Sequence, residues 1–317
     1  MIGCAVSEPA NGIRGSVRFF DGHQTSVGVQ SVLYMTEHKA IERALAALAR
    51  SAELASKICP TVTINYGDSS PRPCLDAKQL DYLRQRYPWV RITYMFFGRN
   101  LGSAGGHNVL AKSNEADIFL IQNPDVIVAP RLIETMLTEF NTPEVGMVEA
   151  KQLPIEHPKD YDAQTGQTAW ASTACTMIPA TLFRELNGFD SDSFFLYCDD
   201  VDFSWRVRLN GLKIIFQPAA VAFHDKRLSQ EAEWVSSAAE RYYSAESALF
   251  LSYKWSRSDI TEELIKEFSA SDNVDLIRAA GVFTKRRKEA RLPTQLDDTH
   301  CVGVFTDQEY APHRFKL

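Results

Sequence analysis

The chain of 317 residues contains no Cys-x-x-Cys pair. Its six cysteines are scattered and have no histidine nearby at zinc-site spacing, so the sequence indicates neither a disulfide framework nor a structural zinc. It also lacks an apolar run approaching the roughly 20 residues that span a bilayer. Its N-terminal segment lacks the basic stretch and apolar core of a signal peptide. We therefore expect a cytoplasmic protein.

Positive charge is also scarce. The formal net charge is -6 and the isoelectric point is about 5.7, which excludes the broad cationic surface that a nucleic-acid-binding protein needs. With 45% hydrophobic and 23% charged residues, the composition is that of a globular protein. The length allows one large α/β domain with an appendage.

The first half of the chain alternates between strand and helix patterns. Residues 31–36 (SVLYMT) predict a strand, and apolar residues at helical spacing predict a helix over 37–54. Further strands are predicted at 61–66, 90–96 and 117–123, with helices at 76–87 and 107–116 between them. This order predicts a mostly parallel sheet with helices on both faces, which binds ligands at the carboxyl ends of its strands.

The pattern divides the chain into three regions. Residues 1–30 form a glycine-rich extension, 31–229 form the main α/β domain with halves at 31–128 and 129–229, and 230–317 form a C-terminal helical region. The amphipathic helix predicted near 231–255 is expected to pack against the main domain. Two alternatives stay open for it: contact with a membrane surface, helped by Lys254 and Arg257, or a homodimer seam.

Two predicted strands end in a polar side chain suited to metal binding. Asp125 follows an apolar strand beside Pro124, a position suited to holding a hard cation, although capping of the turn is the alternative. His224 ends another apolar run beside Asp225, which is placed to orient its ring. A lone histidine is more often structural, so this residue alone decides nothing.

A glycine-rich segment, FFGRNLGSAGGHN, precedes a predicted helix. Glycines at a helix entry allow the backbone to approach a phosphate or a sugar closely, and a helix N-terminus favours negative charge. A tight turn with close helix packing is the equally good alternative.

An acidic cluster lies in GFDSDSFFLYCDDVDFSWRVRLNG. Asp199, Asp200 and Asp202 open a predicted helix, and the helix dipole accounts for one or two of them. Three acids directly after the apolar stretch FFLY favour the rim of a cavity. Asp202 and Arg206 are expected to form an i, i+4 ion pair.

In order and spacing, these segments resemble the family 2 glycosyltransferases, in the branch that contains bacterial rhamnosyltransferases and galactofuranosyltransferases. The pattern there runs N-x-G-x-A-G-G-x-N, N-P-D, G-F-D-x-x-F-F-x-Y-x-E-D-x-D-x-x-x-R, and a histidine after P-x-A. The likeness covers about residues 31 to 230. It implies a GT-A fold with a nucleotide-sugar half (31–128) and an acceptor half (129–229).

The resemblance also implies a function. It implies an inverting transferase that moves a sugar from a UDP- or dTDP-linked donor to a hydroxyl of a glycan or lipid-linked saccharide. Such an enzyme would work in the cytoplasm or at the inner face of the cytoplasmic membrane.

The resemblance implies roles for particular residues. Asp125 and His224 would hold Mn²⁺ or Mg²⁺, and Asp200 would be the catalytic base. Asn65 stands where the family has an acid that binds the pyrimidine ring, and Asp199 replaces the family's usual glutamate. The expected donor nucleotide contacts are Thr36, Glu37, Asn65, Asp68, Asn100, Gly105, Gly106 and Asn123, and the expected acceptor or sugar contacts are Asp190, Asp199 and Trp170.

Two other kinds of protein fit parts of the pattern. A sugar-phosphate nucleotidyltransferase would normally carry a glycine-rich, basic loop directly after its first strand, where this chain has Met35-Thr36-Glu37-His38. A non-catalytic nucleotide- or carbohydrate-binding protein would tolerate loss of the acids, yet Asp125, Asp200 and His224 are all present.

Overall fold

A computed structural model describes residues 25–156, 159–224, 237–306 and 308–311. Most of the predicted extension, residues 1–24, lies outside the described residues. Within the described part, a nine-stranded sheet is flanked by helices.

Strands and helices alternate through the first half of the chain, and three consecutive helices follow the last strand. The strands are β1 (Ser26–Leu33), β2 (Thr61–Asp68), β3 (Arg91–Phe96), β4 (Ile118–Gln122), β5 (Val126–Val128), β6 (Val145–Leu153), β7 (Gln167–Thr168), β8 (Cys175–Pro179) and β9 (Lys213–His224). The helices are α1 (His38–Ala55), α2 (Ala77–Arg86), α3 (Gly102–Ser113), α4 (Leu132–Leu137), α5 (Ala180–Glu185), α6 (Asp199–Leu209), α7 (Ala238–Lys254), α8 (Ser258–Ser269) and α9 (Val274–Lys288).

The sheet has the order β3-β2-β1-β4-β8-β6-β9-β5, and β7 pairs with β9 beside this path. Strands β1 to β4 are parallel to one another, whereas β8 runs antiparallel to both β4 and β6. The predicted α/β class with parallel strands and helices on both faces is confirmed. The second half adds antiparallel strands, so the strand polarity changes in the middle of the sheet.

Alternation along β4 shows how the two faces are covered. Ile118 and Leu120 face the core formed with α1 and α4, while Phe119 and Ile121 face the core formed with α3, α5 and α6. Both cores exclude water from the sheet, and the strand ends are left as its polar edges.

Two predicted boundaries are wrong. The first strand begins at Ser26, not at residue 31, because Gly28 lies inside it: a Cβ there would be 2.2 Å from Asn114 Oδ1, so the glycine makes room for that side chain. Helix α3 begins at Gly102, five residues before the predicted start, so Gly105 and Gly106 lie in its first turns.

The C-terminal region is helical, as predicted. Helices α7, α8 and α9 share a core with Trp170, Phe194 and Trp205 of the main domain. Lys254 at the end of α7 is 6% exposed and its ammonium contacts Asp190 at 2.7 Å and Asp202 at 2.9 Å. Lys254 is therefore a buried docking residue, and its predicted help in membrane contact is wrong.

None of the described helices is both long enough and apolar enough to cross a membrane. The part of the predicted helix that includes Trp234 lies outside the described residues.

We expect Lys254→Met to destabilise the fold by about 3–5 kcal/mol, because it leaves the Asp190 and Asp202 carboxylates buried without their shared cation. Chemical denaturation followed by circular dichroism measures this change. Lys213→Met is the matched control, since Lys213 forms its ion pair with Glu144 on the exposed surface and should leave stability unchanged. A loss below about 1 kcal/mol for Lys254→Met would contradict the docking role.

Candidate active site

The register between β5 and β9 brings Asp125 next to His224. Val126 pairs with His224 across the two antiparallel strands, so the residue before Val126 lies at the end of β9. His224 Nε2 is 3.5 Å from Asp125 Oδ2, and the Asp125 side chain is 47% exposed while that of His224 is 10% exposed. A carboxylate and an imidazole thus face each other at an open edge.

Residues 123–125, the NPD turn, are held by three hydrogen bonds. Gln122 Nε2 donates to the carbonyl of Val126 at 2.8 Å, and Val126 N donates to the carbonyl of Asn123 at 3.2 Å. Asn123 N donates to the carbonyl of Ala174 at 3.0 Å. The turn is therefore fixed to the segment that precedes β8.

That same segment reaches the predicted base. Thr173 N donates to Asp200 Oδ2 at 3.4 Å, and Val201 N donates to Asp200 Oδ1 at 2.9 Å. Because Thr173 and Ala174 are adjacent, the NPD turn and the start of α6 lie on the same edge of the sheet.

Two residues in the left-handed region directly precede helix α6. Tyr197 has φ 64° and Cys198 has φ 57°, which is unfavourable for side chains of their size. The chain can therefore turn sharply between the apolar stretch and the helix. This turn places Asp199 and Asp200 in the first turn of α6.

Asp199 differs strongly from Asp200 in its surroundings. It is 3% exposed, and its Oδ2 has no hydrogen-bond partner within the described structure. Burial and the neighbouring Asp200 charge raise the pKa of Asp199 well above its ordinary value, although a hydrogen bond with the Ser103 side chain opposes this. These surroundings favour the protonated form of Asp199.

The N-terminus of α3 packs against this turn. Ser103 N donates to the carbonyl of Phe195 at 3.0 Å, and a Cβ at Gly102 would lie 2.2 Å from that oxygen. A Cβ at Gly106 would lie 2.7 Å from Val32. The packing interpretation of the glycine-rich segment therefore holds for Gly102 and Gly106. At Gly105 the nearest atom is 3.4 Å away.

The loops after β1 and β2 form the other side of this edge. Met35 N donates to Ser70 Oγ at 2.7 Å, and Thr36 Oγ1 accepts from Tyr34 N at 3.3 Å. Glu37 directly precedes α1 and is exposed. Across the sheet, Asn100 Oδ1 accepts from Gly102 N at 3.0 Å and orders the entry to α3.

Asp68, one of the predicted donor contacts, is the acid at the end of β2. Its carboxylate accepts hydrogen bonds from Ser70 N, Cys74 N and the Tyr94 hydroxyl. Burial alone would raise the pKa of Asp68, but these hydrogen bonds outweigh it and hold the pKa below its usual value. An ionised carboxylate thus organises the loop at the carboxyl edge.

Asn65 does not reach this edge. Its amide donates to the carbonyl of Val29 at 3.0 Å and accepts from Thr93 Oγ1 at 2.8 Å. It lines a separate cavity of about 360 Å³, together with Ser26 and Thr61 at the amino ends of the strands. The structure therefore places Asn65 three residues before the end of β2, away from the loops where the nucleotide contact was predicted.

Two predicted acceptor contacts lie elsewhere as well. Asp190 is bound by Lys254 as described above; burial would raise the pKa of Asp190, but Lys254 holds it below its usual value. Trp170 is 3% exposed, with the Lys159 ammonium 3.9 Å from its ring centroid and the Tyr310 ring packed edge-on. Both residues pack the main domain against other segments, and the structure does not show them beside Asp125, His224 or Asp200.

Among the described residues, no group of three or more His, Cys, Asp or Glu side chains is arranged to hold a metal ion. The Asp125 and His224 pair could therefore supply only part of a coordination sphere. A ligand or water would have to complete it.

Comparison with known proteins places the fold but gives no family assignment. No family model matches the chain. The chain is 25% identical over 185 residues to the low-salt glycan biosynthesis hexosyltransferase Agl10 of Haloferax volcanii, a match covering 49% of this chain and 59% of that protein. The chain spans less than two thirds of the length of the curated relatives it matches.

Two solved structures share the fold. GalNAc-T7 with UDP, GalNAc and Mn²⁺ matches with a TM-score of 0.61 at 13% identity, covering 85% of this chain and 57% of that one. The mannosyltransferase PcManGT of Pyrobaculum calidifontis, in complex with GDP-Man and Mn²⁺, matches with a TM-score of 0.56 at 16% identity, covering 84% and 81%. The expected GT-A fold and the resemblance to glycosyltransferases are confirmed.

We expect Asp199→Asn to flatten the pH dependence of stability. The folded chain keeps a proton on Asp199 at pH values at which the unfolded chain has released it, because the pKa of Asp199 is raised in the fold. The free energy of unfolding therefore falls as the pH rises above the ordinary pKa of an aspartate. Between about pH 5 and about pH 9, the wild-type chain should lose more stability than the variant. Denaturation at the two pH values measures the difference, and equal losses would show that Asp199 is ionised in the fold.

Proposed function

We propose that this chain is a metal-dependent inverting glycosyltransferase that moves a sugar from a nucleoside-diphosphate donor to a hydroxyl of a glycan or lipid-linked saccharide. The observation that supports it most directly is the connection of His224, the NPD turn and Asp200 through β5, β9 and the Thr173–Ala174 segment. The fold shared with proteins bound to UDP or GDP-Man supports the donor class. The name of the hexosyltransferase relative supports transfer of a hexose.

The paired side chains suit a divalent cation such as Mn²⁺ or Mg²⁺. Asp125 offers a hard oxygen and His224 an imidazole nitrogen, and both types bind such ions in proteins. When bound, the ion offsets the negative charge that develops on the departing nucleoside diphosphate. We expect the donor's phosphates and water to supply the remaining ligands.

Asp200 is our candidate for the base. Backbone N–H groups of Thr173 and Val201 donate to its two oxygens and favour the carboxylate form, while Asp199 keeps its proton. Two neighbouring acids in different surroundings can thus take different protonation states.

The reaction then proceeds in one displacement. The acceptor hydroxyl oxygen attacks the anomeric carbon from the face opposite the diphosphate, and the bond from that carbon to the diphosphate oxygen breaks. The hydroxyl proton passes to Asp200, and the anomeric configuration inverts. A positioned base contributes about 10²–10⁴ in rate.

For the donor nucleotide, we propose the loops at the carboxyl ends of β1 to β4. Asp68 stays in this proposal because its hydrogen bonds shape the loop between Ser69 and Cys74, and Asn65 is left out because it lies away from these loops. The other proposed contacts are Thr36, Glu37, Asn100, Gly105 and Asn123, and Asp199 is proposed to contact the transferred sugar or the acceptor.

We expect Asp200→Asn to reduce transfer by about 10²–10⁴ because the amide cannot accept the proton, while donor binding persists. Release of nucleoside diphosphate measures turnover, and release of pyrophosphate instead would indicate a nucleotidyltransferase. Asp192→Asn, an exposed acid in the same segment, is the matched control and should keep full activity. Joint loss of donor binding and turnover in Asp200→Asn would remove Asp200 from the base role.

We expect UDP-, dTDP- or GDP-sugars to raise the melting temperature only together with Mn²⁺ or Mg²⁺. A donor present at 100 times its Kd adds about 2.7 kcal/mol by mass action. Thermal-shift measurements with and without a chelator test this, and Asp125→Asn should remove the metal-dependent part. Full turnover in the presence of chelator would refute the metal site.

A further inference from the structure

Gln152 lies directly behind His224. It is the residue before the last in β6, pairs with Ala222 of β9, and is 0% exposed. Its Oε1 lies 2.8 Å from His224 Nδ1. The buried amide therefore contacts the ring of His224 from the interior.

The contact determines which nitrogen of His224 carries the proton. An amide oxygen can only accept, so Nδ1–H donates to Gln152 Oε1 and Nε2 keeps its lone pair. That lone pair lies on the side of Asp125, whose Oδ2 is 3.5 Å from Nε2. A cation between these two electron-rich atoms would be attracted to both.

The distance also suits shared coordination of one ion. With metal–ligand bonds of about 2.0–2.2 Å, two neighbouring ligands of one ion lie about 3–3.5 Å apart. The observed separation is at the upper end of that range.

The surroundings hold the glutamine in place. Gln152 N donates to Glu156 Oε2 at 2.7 Å, and the strand pairing fixes its backbone. Its Oε1 is the amide atom that faces His224, and its Nε2 has no hydrogen-bond partner within the described residues. The reverse orientation would put the proton on His224 Nε2, where it would block metal binding.

We infer that Gln152 is a positioning residue that holds His224 in the tautomer whose Nε2 binds the divalent cation. The inference rests on the proposed metal site. Groups that orient a metal-binding histidine typically contribute 10–100-fold to metal affinity. Gln152 had no motif to mark it, since it stands in an ordinary strand sequence.

The test is Mn²⁺ binding by the full chain, measured by calorimetry without donor at one fixed pH. Gln152→Met keeps the length of the side chain but offers no oxygen, and it should weaken binding about 10–100-fold. Gln152→Glu restores an acceptor for Nδ1–H and should bind Mn²⁺ like the wild type. Gln217→Met, on β9 away from the site, is the matched control and should change nothing.

A second measurement detects the tautomer itself. Nitrogen-15 NMR of the metal-free protein should show an unprotonated Nε2 for His224, with the signal assigned by its loss in His224→Ala. Gln152→Met should shift the signal toward the protonated Nε2 form, which a purely structural role would not do. A protonated Nε2 in the wild type, or tighter Mn²⁺ binding in Gln152→Met, would overturn the inference.

The two hypotheses fail in different ways. If Asp125→Asn and His224→Ala leave Mn²⁺ affinity unchanged, the proposed metal site is wrong. If those variants lose binding while Gln152→Met keeps it, only the role of Gln152 is wrong.

Discussion

The antiparallel register of β5 against β9 is the constraint on which the site depends. A shift of one residue would turn His224 to the other side of the sheet and separate it from Asp125. The register is held from both strands: Gln122 fixes the entry to β5, and β6 pairs along most of β9. Two side chains 99 positions apart in sequence are therefore juxtaposed by backbone hydrogen bonds.

The change of strand polarity in the middle of the sheet brings the third group to the same edge. Strands β1 to β4 are parallel and end at the cleft, whereas β8 is antiparallel to β4 and begins there. Thr173 and Ala174, just before β8, consequently lie beside the carboxyl end of β4. This is why one short segment can contact both the NPD turn and Asp200.

Local sequence signals predicted elements where periodicity and packing agree. The buried stripe of α1, with Ile41, Leu45 and Leu48, is the one that helical spacing predicts. The predicted element boundaries were wrong at glycines that pack against residues distant in sequence. The local sequence suggests that Gly28 breaks the strand. In the fold the Asn114 side chain occupies the space that a side chain at Gly28 would need, and this contact cannot be predicted from neighbouring residues.

The same limit applies to the side chains of the site. The prediction that Asp125, His224 and Asp200 belong to one site came from the resemblance in motif order, because no local pattern connects the three. Asn65 was misplaced because the length of β2 depends on its pairing with β1 and β3. Gln152 went unnoticed because only the fold places it behind His224.

The acidic cluster from Asp190 to Asp202 shows how three-dimensional contacts divide similar residues into different roles. Asp190 and Asp202 share the buried Lys254, and Asp202 also accepts from Arg206 and Trp255. Burial and the neighbouring charge of Asp200 favour the protonated form of Asp199. Asp200 accepts from the backbone N–H groups of Thr173 and Val201, which favour its ionised form, and it is the acid that we propose as the base. The helix dipole acts alike on all of the acids at the start of α6, so it cannot give them different roles. Lys254, from a helix about 50 residues later, sets Asp202 apart by pairing with it.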